Sequence, residues 1–168
     1  VVALVIDSSL GIDRQDLRIA NLVIEEGRAL VILLNKIDKV KDTKKFIELI
    51  NYNLQKSLPQ IKGVLILPIS AKSGKGLGKL LKTILETYEL WNKRISTSLL
   101  NKWLENVLFK HPPPSIRGRR IKIRYITQTK SRPPTFILFS TKADEVPMVY
   151  IKYLINDLRK SFNLPGVP

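Results

Sequence analysis

The chain has 168 residues but no cysteine and a single histidine, His111, and this scarcity excludes several kinds of site. Without cysteine it can form neither a disulfide framework nor a cysteine-ligated zinc centre. One histidine cannot hold a metal ion without further ligands. Because His111 stands directly before three prolines, we interpret it as a residue at the end of a helix and not as a catalytic base.

Long apolar runs are also missing from the sequence. The longest cover residues 1–6, 29–34 and 64–69, whereas a membrane-spanning helix needs about 20 apolar residues. The chain opens on an apolar segment with no basic leader, so no signal peptide is predicted. We therefore expect a cytoplasmic protein that does not contact a membrane.

Acidic residues are scarce in the second part of the chain. Residues 1–92 carry 14 Lys and Arg against 10 Asp and Glu, whereas residues 93–168 carry 15 against 4, a net charge of +11. Such an excess attracts the phosphates of nucleic acids, and the attraction weakens as salt rises. The alternative is a solvated, lysine-rich surface without a specific partner.

The first 92 residues alternate apolar runs with helical patterns. Residues 1–6 are predicted to be a strand buried on both faces, residues 29–34 a second buried strand and residues 64–69 a third strand. Helical stripes follow each of them, and Asp13 is placed to cap the first helix while Gly27 ends it. Strands that alternate with helices form a parallel sheet, whose ligands bind beyond the carboxyl ends of the strands.

Two polar loops follow the second and third of these strands. In Asn35-Lys36-Ile37-Asp38, the Asp38 carboxylate can accept both N1–H and the 2-amino group of guanine, donors that adenine lacks. Asn35 can bond the purine's other edge or neighbouring loops, and the stem of Lys36 can lie flat against the base. In the second loop, the backbone N–H groups of Ser70, Ala71 and Lys72 are predicted to face the guanine carbonyl oxygen. A four-residue pattern occurs by chance, but the two loops together favour a guanine site.

These loops resemble the base-specificity motifs of Ras-like GTPases, and the flanking sequence is more specific. Short motifs in order along essentially the whole chain are similar to the second GTPase domain and the C-terminal domain of the ribosome-assembly GTPases called Der or EngA. They include Asp7-Ser8-Ser9-Leu10-Gly11, Arg18-Ile19-Ala20, Arg94-Ile95-Ser96-Thr97, His111-Pro112-Pro113-Pro114, Gly118-Arg119-Arg120, Thr127-Gln128 and Pro133-Pro134-Thr135-Phe136. The family is expected to have tryptophan at the position of Ile37. The side chain at this position is not predicted to contact guanine.

The resemblance implies an α/β fold in two domains. Residues 1–92 would be the C-terminal half of a Ras-like P-loop GTPase domain, with three parallel strands and their helices. Residues 93–168 would be a small α+β domain of the KH-like type, with its last strand beyond Pro168. The resemblance also implies that the family binds and hydrolyses GTP in assembly of the large ribosomal subunit. The ligand would be GTP or GDP, with Mg²⁺ bound only in the complete GTPase domain. The partner would be ribosomal RNA or the large subunit, and the protein would be a monomer.

A phosphate-binding loop of the form Gly-x-x-x-x-Gly-Lys-Ser/Thr does not occur in the sequence. The resemblance places it upstream of Val1, together with the magnesium ligands. We therefore interpret the chain as a fragment that contains no catalytic residues and does not hydrolyse GTP by itself. The alternative is an RNA-binding or adaptor protein that acts alone and keeps the guanine pocket only as a scaffold.

The second unit is predicted to run helix, strand, strand, helix. Alternation places Lys122 and Arg124 on the strand face opposite Ile121, Ile123 and Tyr125, and residues 135–139 are expected to form a more fully buried partner strand. Trp103 and Tyr125 have the regular spacing typical of core residues.

An RNA-binding KH domain clamps the RNA backbone with a Gly-x-x-Gly loop, and the sequence has none. An RNA contact would therefore rest on basic side chains, namely Arg117, Arg119, Arg120, Lys122 and Arg124.

Overall fold

The computed structural model describes residues 1–59, 61–115 and 121–168. The chain divides into two compact units, one formed by Val1–Asn92 with Pro165–Pro168 and the other by Lys93–Leu164. The last four residues thus fall in the first unit, although the sequence suggested that they belong to the second. Gly166 explains this, because its positive φ of 65° allows its N–H to donate to the Lys62 carbonyl at 2.7 Å.

The first unit is a three-stranded parallel sheet with helices, as the sequence predicts. The strands lie in the order β1-β2-β3. The elements along the chain are β1 Val2–Asp7, α1 Arg14–Glu25, β2 Leu30–Asn35, a 3₁₀ turn Ile37–Lys39, α2 Thr43–Ser57, β3 Leu65–Pro68, a second 3₁₀ turn Leu77–Lys79 and α3 Leu80–Trp91. The predicted capping residue is confirmed, since the Asp13 carboxylate accepts from the Asp16 N–H at 2.7 Å and begins α1.

The core of this unit lies on both faces of β2, but not on both faces of β1. Successive right-handed crossovers in one direction place α1 and α2 on the same face, and their apolar side chains pack with Ile6, Leu30 and Ile32. On the other face, Val31 and Leu33 pack with Leu80 of α3. The prediction that β1 is buried on both faces is therefore wrong.

The reason is the position of β1 at the edge of the sheet. It pairs only with β2 in the described part of the chain, and α3 packs over the centre of the sheet and not over β1. Val5, on the face opposite Ile6, is consequently 54% exposed. The apolar run in the sequence predicts that residues 1–6 form a strand, but it does not show whether one face or both faces of that strand are covered.

The second unit contains two helices and an antiparallel pair of strands. Its elements are α4 Thr97–Lys110, β4 Ile123–Ser131, β5 Pro134–Ser140, a 3₁₀ turn Ala143–Glu145 and α5 Met148–Ser161. The order helix, strand, strand, helix is the KH-like arrangement that the sequence predicts. Within the described residues of this unit the sheet has two strands, and the third strand, expected beyond Pro168, stays a prediction.

A β-bulge in β4 changes which side chains face the core. Ile123 pairs with Ser140 and Tyr125 pairs with the adjacent Phe139, so β4 has an additional residue at this point. After the bulge Ile126 is buried, whereas Tyr125 is 41% exposed. The prediction that Tyr125 is a core residue is wrong, because strict alternation fails at a bulge.

The partner strand also differs from the prediction. None of the residues of β5 is fully buried, and Ile137 and Phe139 are 44% and 48% exposed. The helices cover only one face of this two-stranded sheet, so an apolar strand keeps one row of side chains in solvent. Phe139 contacts the Tyr125 ring, with 5.6 Å between the ring centroids.

Two other predictions for this unit are confirmed. Trp103 is buried in the core, and its indole N–H donates to the Asp157 carboxylate at 2.7 Å. His111 follows directly on the last residue of α4, and its carbonyl accepts from the Tyr150 hydroxyl at 2.7 Å. The His111 ring lies against Tyr153. It therefore packs as a helix-end residue.

Candidate functional site

The carboxyl ends of the three parallel strands bring the two polar loops to one edge of the sheet. Asp7 pairs with Asn35, and Leu34 pairs with Pro68. Backbone hydrogen bonds continue beyond the strands, from Ile69 N–H to the Leu34 carbonyl at 2.8 Å and from Ile37 N–H to the Ile69 carbonyl at 3.1 Å. The loop after β2 is therefore joined to the loop after β3 by backbone hydrogen bonds.

Asn35 fastens these loops together through its side chain. The Oδ1 atom accepts from the Lys36 N–H at 2.8 Å and from the Ala71 N–H at 3.0 Å. Of the two roles considered for this amide, contact with the purine or with a neighbouring loop, the structure shows the second. Asn35 therefore shapes the site.

Asp38 presents an exposed carboxylate beside this junction. The side chain of Ser70 hydrogen-bonds this carboxylate and, as the largest cause, lowers the pKa of Asp38 below its usual value, with smaller contributions from Lys39 and Lys72. Ser70 is fully buried, and its Oγ also accepts from the Ser73 N–H at 3.2 Å. Asp38 is thus ionised at neutral pH and held in place, as an acceptor for two donors on a flat base must be.

The loop after β3 is a closed turn stabilised by its own backbone. Ser70 N–H donates to the Lys75 carbonyl at 2.9 Å, and Gly74 N–H donates to the Ser70 carbonyl at 2.9 Å. Because the N–H groups of Ser70 and Ala71 are used within the protein, they do not face outward as the sequence suggested. Lys72 is exposed at the surface of this turn.

Comparison with known proteins agrees with this geometry. Residues 1–89 match the family model described as the elongation factor Tu GTP binding domain. Residues 94–168 match the model described as the KH-domain-like C-terminal region of EngA bacterial GTPase enzymes. The chain is 44% identical over all 168 residues to GTPase Der of Mesorhizobium japonicum, and 45% identical to those of Brucella suis and Bradyrhizobium sp..

The chain belongs to the Der (EngA) family of GTPases. It spans 35% of the length of the Mesorhizobium and Brucella relatives and 37% of the Bradyrhizobium one. The region shared with these relatives contains a part of the GTP-binding domain and the KH-like domain.

Two of the five basic residues predicted to contact RNA can be placed in this Der-family chain. Lys122 and Arg124 are exposed, whereas Ile121 and Ile123 between and beside them are buried, so the predicted separation of a basic from an apolar face is confirmed there. The other three residues, Arg117, Arg119 and Arg120, lie outside the described residues.

One residue of the site was not singled out from the sequence, namely Asp7. Its carboxylate accepts a hydrogen bond from the Lys36 ammonium group at 2.5 Å. A signal was present, since Asp7 is the polar residue at the end of the first predicted strand and parallel strands end at one edge of the sheet. That signal predicts where Asp7 lies in the sheet, but it does not predict that Lys36 is its partner.

No group of three or more His, Asp and Glu that could hold a metal ion occurs in residues 1–59, 61–115 and 121–168. None of the helices described for this chain is long and apolar enough to cross a bilayer.

Proposed function

We propose that residues 1–92 recognise the guanine base of GTP or GDP. The observation that supports this most directly is the ionised Asp38 carboxylate, which Ser70 holds beside a junction fastened by Asn35. Asp38 accepts the guanine N1–H and 2-amino donors, Lys36 lies against the face of the base, and the exposed turn at Ala71 and Lys72 borders the carbonyl edge. Adenine, with no pair of donors at these positions, is excluded.

In the complete GTPase domain this recognition serves hydrolysis of GTP, in assembly of the large ribosomal subunit in the cytoplasm. Such chemistry rests on contacts to the phosphates and on Mg²⁺, which neutralises the developing charge. The residues of this chain contribute the choice and orientation of the base. The phosphate loop, which the 168 residues do not contain, supplies the rest.

Purified alone, the chain is expected to release no phosphate from GTP above the rate of buffer, because phosphate contacts provide nearly all the stabilisation of the transition state. A malachite green assay with excess Mg²⁺ and GTP measures this. Phosphate release that rises in proportion to protein and disappears with Asp38→Ala would show that the chain is catalytic, against this expectation.

The second proposed function is a contact with ribosomal RNA by the KH-like domain of a monomeric protein. The charge of residues 93–168 supports it, as do the exposed Lys122 and Arg124 at the start of β4. The bulge exposes Tyr125 next to Arg124, so a ring and a cation are adjacent on this surface. With no Gly-x-x-Gly loop in the sequence, phosphate charge should govern the contact more than base identity.

The Lys122→Ala and Arg124→Ala changes should each reduce the slope of log affinity against log salt by about 1, and should weaken unrelated RNA sequences by similar factors. Fluorescence anisotropy with a ribosomal RNA fragment and a scrambled RNA of equal length, from 50 to 300 mM KCl, gives both quantities. Lys102→Ala, an exposed cation on α4, is the matched control.

The competing view is that this basic face packs against other parts of a longer protein. It predicts that the same substitutions lower the free energy of unfolding of that longer protein and leave the RNA affinity and its salt slope unchanged. An RNA-binding or adaptor protein without hydrolysis is the alternative for the whole chain, and the absence of any phosphate-loop sequence from the gene upstream would favour it.

A further inference from the structure

Asp7 lies at the end of β1, directly beside the loop that contains Asp38. It pairs with Asn35 across the sheet, and the Ser8 N–H continues the pairing by donating to the Asn35 carbonyl at 2.9 Å. The Asp7 side chain thus starts from a rigid strand end, and it reaches the guanine loop from the neighbouring strand.

Two hydrogen bonds from Ser9 orient the carboxylate of Asp7 independently of Lys36. Its Oδ1 atom accepts from the Ser9 N–H at 2.9 Å and from the Ser9 hydroxyl at 2.6 Å. Its Oδ2 atom accepts from the Lys36 ammonium group at 2.5 Å. Lys36 first, and Ser9 second, hold the pKa of Asp7 well below its usual range, so the carboxylate is charged throughout the neutral range.

Lys36 itself is constrained at both ends. Its backbone lies in the left-handed region, with φ 59° and ψ 32°, which residues with a side chain adopt rarely. The Asn35 side chain supports that conformation by accepting from the Lys36 N–H. With the ammonium group anchored on Asp7, the four-carbon stem has few rotamers left, yet 47% of the side chain remains exposed.

We propose that Asp7 is a positioning residue for nucleotide binding, which holds the Lys36 stem in the orientation that stacks on the guanine base. This rests on the proposed guanine site. Without Asp7 the lysine stem becomes a flexible, solvated side chain that must be ordered each time a base binds. Ordering one such side chain lowers the binding affinity by a measurable factor. A loss of affinity without a loss of stability would therefore separate this role from a general contribution to folding.

The anchor itself can be tested without any nucleotide. In this chain the ¹³C-carboxyl titration of Asp7 should have its midpoint well below that of an ordinary aspartate, and Lys36→Met should move the midpoint upward. An unchanged midpoint in Lys36→Met would show that the ion pair does not exist in solution and would overturn the proposal.

The functional role is tested by titrating guanosine into the ¹⁵N-labelled chain and following the amide signals of residues 35–38 and 71–72. Asp7→Asn, which has the same shape and can still accept from Ser9, should weaken guanosine binding about 2- to 12-fold, the range for ordering one flexible side chain. Asp144→Asn, an exposed aspartate of the second unit, controls for the lost charge. The double change Asp7→Asn with Lys36→Met should bind no more weakly than Lys36→Met alone, since Asp7 acts through the lysine.

Each result decides one point. If guanosine binds the unaltered chain and Asp7→Asn binds it equally well, Asp7 has no positioning role although the guanine site stands. If Asp7→Asn weakens binding equally with and without Lys36, it acts by another route and the proposal is wrong. If these signals are shifted neither by guanosine in the unaltered chain nor by GDP in a chain extended upstream by a relative's phosphate-binding half, the guanine site itself fails, and the carboxyl titration still reports whether Asp7 holds Lys36.

Discussion

Asp38→Asn should convert a preference for guanine into one for xanthine. Asparagine at this position offers one acceptor and one donor in place of two acceptors, and xanthine has an oxygen where guanine has its 2-amino group. Guanine then loses one acceptor and faces a donor, whereas the xanthine oxygen receives a hydrogen bond. Asp38→Ala should lose discrimination without gaining xanthine, at a cost of about 1 to 3 kcal/mol for each guanine donor left unpaired.

The measurement needs a chain extended upstream by a relative's phosphate-binding half, so that nucleoside triphosphates bind tightly enough to rank. Dissociation constants for GTP, XTP and ATP by stopped-flow displacement of a fluorescent nucleotide give the preference directly. Asp42→Asn is the control, because Asp42 caps α2 by accepting from the Lys45 N–H and asparagine caps as well as aspartate. If Asp38→Asn binds GTP as tightly as the parent and XTP no better, Asp38 does not read the base.

Gly76→Ala should destabilise the chain far more than Gly74→Ala, although both glycines have the same positive φ of 78°. A Cβ at residue 76 would lie 2.3 Å from the Pro68 carbonyl oxygen, whereas a Cβ at residue 74 meets nothing within 4 Å. Gly74→Ala should therefore lower the free energy of unfolding only by the cost of placing alanine in a left-handed backbone conformation, about 1 to 2 kcal/mol. Gly76→Ala adds a steric clash between the new Cβ and the Pro68 carbonyl oxygen, which the strand holds in place. The total loss of unfolding free energy should therefore be about 3 kcal/mol or more.

Urea unfolding of the two variants, followed by circular dichroism, gives the comparison. Because Ser70 and Lys75 close the turn that ends at Gly76, the more disruptive change should also displace the Ser70 hydroxyl from Asp38 and raise the pKa of that carboxylate. Equal losses of unfolding free energy at the two positions would mean that the loop relaxes around the new methyl group, and the tight approach to Pro68 would then have no energetic consequence.

The placement of the two polar loops after β2 and β3 could be predicted from the sequence because it depends on local signals. Apolar runs of strand length, helical stripes between them and the polar residues at each strand end are all readable along the chain. Parallel topology then brings Asn35 and Ser70 to one edge without further information. The proposed role of Asp38, as acceptor of two donors, follows from its functional group, whereas the bridging contact of Asn35 with Ala71 was one of two roles that the sequence left open.

Three features could not be predicted, each for the same kind of reason. Burial of Val5 depends on whether a second layer covers the edge strand, and the residue type is the same in both cases. The exposure of Tyr125 depends on one additional residue in β4, which reverses the faces of the residues that follow it up to the second register shift at Gln128. The position of residues 165–168 depends on a close backbone approach between Gly166 and Lys62, which are far apart along the chain.

Residue identity and spacing along the chain are sufficient to predict the element order, the two chemically distinct halves, the residue types in the two polar loops and the family. The partners of those residues become visible only in the folded chain. The tertiary structure directs Asn35 to Ala71, Ser70 to Asp38 and Asp7 to Lys36, and it leaves Tyr125 in solvent. Such pairings depend on distances of a few ångströms between segments about 30 residues apart, and no periodicity or motif within either segment encodes them.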